Sequence, residues 1–238
     1  MDEACRLKKK LLLFKVDFEK AYDSVDWGYL DAVMERMSFP VLWRKWIKEC
    51  VSTATTSVLV NDSPTDEFPL GRRLHQGDPL FPFLFMMAAE GLNIIMKSVV
   101  ERNIFVGYTV EATSSMSVTH LQFANDTLIL GTKSWANVRA MRAVLVLFEA
   151  MSDLKVNFNK SMLVGVNVSD SWLNEAASVL RCRVGNVSFV HLGLSIGDDL
   201  RRLIFWEPLL RSIKSRLYGY NSRFLSFGGL GSYRLEAG

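Results

Sequence analysis

Asp17 and the pair Asn125-Asp126 are the residues of this 238-residue chain whose types and surroundings could do chemistry. Asp17 closes the run Leu11-Leu12-Leu13-Phe14-Lys15-Val16, whose apolar start predicts a buried strand. Asn125-Asp126 interrupts the stretch 118–131 between two apolar, partly alternating runs, the pattern of a β-hairpin whose tip presents one amide and one carboxylate. Each has an ordinary explanation. Asn and Asp suit hairpin tips because both tolerate positive φ and bond their own backbone. Asp17 would serve as the cap of a following helix, since the period turns helix-like at Glu19 to Tyr22. Taken together they admit another reading. A carboxylate at the end of a buried strand is costly unless a positive charge meets it, and two carboxylates from separate strands need a cation even more. A hard divalent ion such as Mg2+, which takes a few carboxylate oxygens plus substrate phosphates, would meet that need. Spacing alone leaves both readings open.

The elements that must position these residues follow the chain in order. A helix through Tyr29 to Glu35, with apolar residues at 30, 33, 34 and 37, stops at Ser38 to Pro40. A second helix, Val41 to Val51, would bury Trp43, Trp46 and Ile47 as a core stripe. Thr55 to Val60 and Glu67 to Leu70 read as short strands around the turn Asn61-Asp62-Ser63-Pro64. A basic, glycine-bearing segment, Gly71 to Gly77, feeds an apolar helix from about Pro79 to Arg102. Phe105 to Val110 and Val118 to Leu130 would be the central strands, joined by the polar loop Glu111 to Ser117. Ser134 is placed to cap a helix with Val138, Met141, Leu145, Phe148 and Met151 on one face. Strands near Lys155 to Phe158 and Met162 to Val166 follow, then a helix over Asp170 to Leu180, a strand pair within Ser188 to Ile196 and a helix over about Leu203 to Tyr218. The fold class expected is α+β, an antiparallel sheet backed by helices.

Composition narrows the field only coarsely. Nearly half the residues are apolar, and 28 basic against 25 acidic residues leave a net charge of +3, which by itself argues no nucleic-acid binding. From Arg201 onward bases outnumber acids, and this flank reads equally as a phosphate contact or as a solvated helix face. Cys5, Cys50 and Cys182 stand in no CxxC arrangement, so neither a disulfide framework nor a zinc site is expected and a reducing, intracellular setting is. Leu80 to Ala89 is too short to span a bilayer and reads as a buried helix, and no signal peptide is visible, so no membrane partner is expected.

Three ordered blocks carry a resemblance. Asp17-Phe18-Glu19-Lys20-Ala21-Tyr22-Asp23-Ser24-Val25, Gln76-Gly77-Asp78-Pro79-Leu80-Phe81-Pro82 and Phe123-Ala124-Asn125-Asp126 resemble successive palm motifs of reverse transcriptases. More narrowly, they are similar to those of non-LTR, LINE-type retrotransposons of the kind abundant in plant genomes, in order and spacing as well as in motif. The resemblance implies a reverse-transcriptase palm over residues 1–238, with a core at about 11–200, a basic flank at about 201–238, and fingers and thumb incomplete. It implies an RNA-directed DNA polymerase that extends a DNA primer on an RNA template by two-metal nucleotidyl transfer from a dNTP, with two Mg2+ ions held by Asp17 and Asp126. On the same resemblance Tyr22 excludes a ribose 2'-hydroxyl, Phe18, Gln76 and Gly77 contact the incoming nucleotide and template, Lys160 protonates the departing pyrophosphate, and Leu192-Gly193 grips the primer. Other parts of the element's polyprotein would be partners, in the nucleus or cytoplasm.

The departures from the family pattern have consequences of their own. Asn125 stands where the family has the first Asp of a catalytic pair and brings no charge to a site meant for two divalent ions. A neighbouring unit charge is worth roughly 1 to 4 kcal/mol at intermediate dielectric, or about tenfold to a thousandfold in rate. His75, Phe81, Ser195 with Asp198, and Asp153 also depart, the last where glycine would commonly end a helix in the left-handed conformation. Two readings follow, a polymerase domain impaired at Asn125 and a catalytically dead remnant that keeps the fold and a nucleic-acid contact. A metal-dependent nuclease is weaker than either, because no histidine or lysine is positioned to activate water.

Overall fold

A computed structural model describes residues 1–19, 25–53, 55–69, 80–110, 116–123, 126–191, 194–197 and 203–219. They divide into two compact units, 1–186 and 187–238. After a short helix α1 (Asp2–Arg6), the first unit is built on strand β1 (Leu11–Val16). The run chosen by sequence for its apolarity is buried at Leu11, Leu12, Leu13, Phe14 and Val16.

Helices α2 (Trp27–Arg36) and α3 (Val41–Ser52) come next, then the short strands β2 (Thr55–Thr56), β3 (Leu59–Val60), β4 (Ser63–Pro64) and β5 (Phe68–Pro69). β3 and β4 pair as a hairpin whose tip, Asn61-Asp62, has both φ angles positive at 50° and 62°. That is the geometry Asn and Asp tolerate best, so the turn is two residues long and Ser63-Pro64 belongs to a strand. The long helix α4 (Phe81–Glu101) is followed by β6 (Tyr108–Val110), β7 (Met116–Val118), β8 (His120–Phe123) and β9 (Asp126–Thr132). Helix α5 (Trp135–Ser152), β10 (Met162–Val166), α6 (Asp170–Leu180) and β11 (Arg183–Val184) complete the unit. The main sheet runs in the order β11-β10-β1-β9-β8, antiparallel except for the β10-β11 pair.

One face of this sheet carries the helices. Leu12, Phe14 and Val16 of β1 and Ile129 of β9 join buried residues of α2, α4, α5 and α6 in a single apolar core. The closeness of α2 to α4 depends on Gly91, where a Cβ would overlap the Tyr29 hydroxyl, and that hydroxyl donates to the Ala88 carbonyl at 2.7 Å.

Several sequence expectations change for physical reasons. Trp43 and Trp46 are 41% and 56% exposed, and α3 instead buries Ile47 and Val51. Arg44 sets that rotation, because its guanidinium holds both Asp31 carboxylate oxygens of α2 at 2.8 and 2.6 Å and Glu35 at 3.1 Å. In α5, Ser134 caps as expected by accepting from Asn137 N, but Met151 is exposed while Val144 and Ser152 are buried. Residues 155–158 form no strand beyond one bridge, Phe18 to Val156. Tyr108–Val110 is not central, since it pairs with β7 in a separate two-stranded sheet, while Phe105 is a core residue.

The helix expected from about Pro79 to Arg102 is α4, and Glu90 and Asn93 lie within it without ending it, so the apolar stretch read as Leu80 to Ala89 is part of a longer helix. Pro82–Glu101 is the one helix among the described residues long and apolar enough to cross a membrane, and Leu84, Leu92 and Met96 within it are fully buried against the core. The helix cap assigned to Asp17 belongs to Asp26, whose carboxylate accepts from Tyr29 N at 2.8 Å. The chain stays extended at Phe18, and Glu19 N donates to the Lys155 carbonyl at 2.8 Å, so no helix has begun there.

The second unit contains a hairpin, β12 (Phe189–His191) with β13 (Leu194–Ile196), and the helix α7 (Leu203–Gly219). Phe205 is buried and meets Trp206 edge to face at 4.8 Å.

Candidate active site

The two acids are brought together by strand register. β1 and β9 run antiparallel with Leu13 opposite Leu130, Lys15 opposite Leu128 and Val16 opposite Thr127. The next step sets Asp17 across from Asp126, the first residue of β9 and the partner of Phe123 in the β8-β9 hairpin. Side chains alternate along strands and directly opposed residues share a face. Val16 therefore lies on the helix-covered face with Thr127, and Asp17 and Asp126 lie together on the other. Both acids are half-buried.

The Asp17 backbone is fixed from both sides. Its N–H donates to Ser161 Oγ at 3.0 Å, and its carbonyl accepts from Asn157 N at 2.7 Å. Ser161 is fully buried, and its hydroxyl donates in turn to the Asn157 carbonyl at 2.8 Å. The same segment is tied to α5 where Val156 N donates to Glu149 Oε1 at 2.7 Å. Sequence reasoning took Lys160 from this stretch and missed Ser161 and Asn157. Their signal was only that small polar residues between α5 and β10 must satisfy backbone somewhere.

Of the other expected site residues, Phe18 turns its ring inward, edge to face with Phe148 at 5.9 Å. Lys160 lies in the turn leading into β10 with an exposed side chain, and its N–H donates to Asn157 Oδ1 at 3.0 Å. Tyr22, Gln76, Gly77, Asn125, Leu192 and Gly193 fall outside the described residues. Among the described residues no group of three or more His, Cys, Asp or Glu is gathered as a metal cluster.

Under the acids, on the helix-facing side, the edge strand β8 carries polar groups. Among the described residues, neither Gln122 Nε2 of β8 nor Thr127 Oγ1 of the neighbouring β9, both buried, has a hydrogen-bond partner. His120 Nδ1 lies 3.0 Å from Thr119 Oγ1. Burial pushes the His120 imidazole below its ordinary pKa, against a smaller opposing pull from Glu90 of α4.

An antiparallel-dominated sheet with a helical layer on one face is a palm-like α+β architecture. Residues 1–194 match the family model described as reverse transcriptase (RNA-dependent DNA polymerase), and the chain belongs to that family. It is similar to the transposon TX1 uncharacterized 149 kDa protein of Xenopus laevis, 27% identical over 158 residues. It is also similar to the retrovirus-related Pol polyprotein from type-1 retrotransposable element R2 of Popillia japonica, 25% identical over 163 residues. These matches cover 66% and 68% of this chain but 12% and 22% of the relatives, so the chain spans a small part of their length. They agree with the LINE-type resemblance of the motifs. Among solved structures, a telomerase from Candida tropicalis shares the fold at 13% identity and a TM-score of 0.56, over 83% of this chain and 31% of that one.

Proposed function

We propose that this chain is the palm of an RNA-directed DNA polymerase from a LINE-type retrotransposon, with Asp17 and Asp126 as its metal-holding carboxylates and Asn125 as its weak point. The observation that supports the reading is the β1-β9 register, whose last pair is Val16 with Thr127, so that Asp17 and Asp126 are the next residues on the two strands and fall on one face of the sheet. Two carboxylates presented from adjacent strands fit the donor preference of Mg2+, which keeps substrate phosphates and water as its remaining ligands. When bound, such ions supply charge at the primer hydroxyl and at the leaving phosphates. The chain's own part is to hold the two carboxylates at fixed separation. Ser161 and Asn157 do this for Asp17, and hairpin pairing with β8 does it for Asp126.

An RNA template, a DNA primer and a dNTP are the partners this chemistry requires. Tyr22, Gln76 and Gly77 would meet the nucleotide, Leu192 and Gly193 the primer end, and Lys160 the departing pyrophosphate. Phe18 would act through its backbone, since its ring packs on Phe148. The protein would work inside the cell, in nucleus or cytoplasm, beside the other parts of its element's polyprotein.

The second reading, a catalytically dead remnant, is favoured by Asn125, which removes one negative charge next to Asp126. Calorimetric titration with Mg2+ separates the two. The polymerase reading expects heat of binding that disappears in Asp17→Ala, and no binding by the parent chain supports the remnant.

A further inference from the structure

The end of the sheet opposite the acids carries a basic pocket. A cavity of about 470 Å³ is lined by Lys8, Lys9, Lys10, Tyr108, Thr109, Thr132 and Lys133. Lys10 leads into the N-terminal end of β1, and Lys133 follows the last residue of β9, opposite Leu11. The pocket lies six strand residues away from Asp17, about 20 Å at roughly 3.3 Å per residue. That exceeds two Debye lengths of about 8 Å at physiological salt. The lysines therefore do not serve the carboxylates electrostatically.

The lysines are held on a fixed framework. Asn167 Nδ2 donates to the Ala4 and Lys9 carbonyls at 2.8 and 2.9 Å, riveting α1 and the segment after it to the residue following β10. Lys8 takes a left-handed backbone, φ 52°, which a side chain with a Cβ adopts at a cost of about 1–2 kcal/mol. Lys9 is already engaged, with its Nζ donating to the Thr109 carbonyl at 3.5 Å, 3.7 Å from Glu3 and 6.0 Å from the Tyr108 ring centre. Lys8 and Lys10 are exposed, and Lys133 rests over the Trp172 ring at 4.8 Å. Among the described residues, no acid lies within ion-pair distance of Lys8, Lys10 or Lys133.

We propose that this pocket is a second nucleic-acid contact, in which Lys8, Lys10 and Lys133 take phosphates of a phosphodiester backbone remote from the acids. Three cations around an open cavity on a rigid sheet end suit a run of phosphates better than a single small anion. Successive phosphates of one strand in a duplex are about 3.4 Å apart along the axis, so the ~20 Å between the acids and the pocket corresponds to about six nucleotides. A strand that touches both must be longer than that. This inference rests on the polymerase reading for the presence of a nucleic acid, but it assigns residues that the reading does not use.

The test is equilibrium binding of labelled single-stranded RNA and DNA of one sequence, at about six and about twenty nucleotides, across about 50 to 200 mM salt. The proteins are the parent, the triple variant Lys8→Gln/Lys10→Gln/Lys133→Gln and the charge-keeping triple Lys→Arg at the same positions. For the longer strand, the Gln triple should bind about tenfold or more weakly, and its salt slope should fall by about 2, near 0.7 for each lost phosphate contact. The short strand should change far less, and the Arg triple should bind as the parent does. Dependence on the lysines with RNA, DNA or both supports the site and tells which strand uses it. Equal affinity and slope for parent and Gln triple would overturn this inference alone. No binding of either nucleic acid by the parent would overturn it together with the polymerase reading.

Discussion

Asp17 is held by its backbone, and among the described residues its carboxylate makes no hydrogen bond or ion pair. Ser161 both accepts from the Asp17 N–H and donates to the Asn157 carbonyl, and no other side chain bonds that N–H among the described residues. Ser161→Ala should therefore strand a partly buried N–H and lower stability by roughly 1 to 3 kcal/mol. A urea midpoint shift with an unchanged slope would measure it, and an unaltered midpoint would show that water replaces the hydroxyl at no cost. Asp153 illustrates a residue read correctly from sequence. It ends α5 at φ 60°, the left-handed position where glycine is usual. Asp17 itself was legible only as a choice between cap and ligand. The choice turned on where the next helix begins, and Asp26 rather than Asp17 caps it.

At the scale of elements, the apolar run located β1, which is buried on both faces, and periodicity located α5 and α6, whose apolar residues face the core. It failed where a polar contact sets the rotation or where pairing partners are distant. Arg44 bonding to Asp31 turns Trp43 and Trp46 outward, which no apolar count reveals. Residues 155–158 look strand-like but spend their hydrogen bonds on Asp17, Glu19 and Glu149. The burial of His120 in β8 has a pH signature. Burial holds the His120 imidazole below its ordinary pKa of about 6.5, so the unfolded chain binds the proton more readily than the folded one. Stability from this group is complete above about pH 6.5 and is lost as pH falls from there through the lowered folded value. The drop in Tm between about pH 7.5 and about pH 5 should be smaller in His120→Gln than in the parent, and equal drops would refute the assignment.

For the whole molecule, the fold class and family were within reach of sequence because the three motif blocks keep their order. Register was not, since opposing Asp17 to Asp126 takes a strand more than a hundred residues away. The basic pocket was also hidden, because Lys8 and Lys10 lie more than a hundred residues from Lys133 and meet it only where β1 and β9 pair. The sheet thus has two polar ends, with Asp17 and Asp126 at one and Lys8, Lys10 and Lys133 at the other. The account stands on the acidic end being a polymerase centre weakened by one missing charge. The most direct measurement is Mg2+-dependent primer extension on an RNA template by the parent, by Asn125→Asp, and by Asn125→Asp combined with Asp17→Ala. Asn125→Asp should extend at least about tenfold faster than the parent, as expected for about 1.4 kcal/mol recovered in the transition state, and adding Asp17→Ala should abolish extension. Equal extension by parent and Asn125→Asp, or extension that survives the loss of Asp17, would contradict the account.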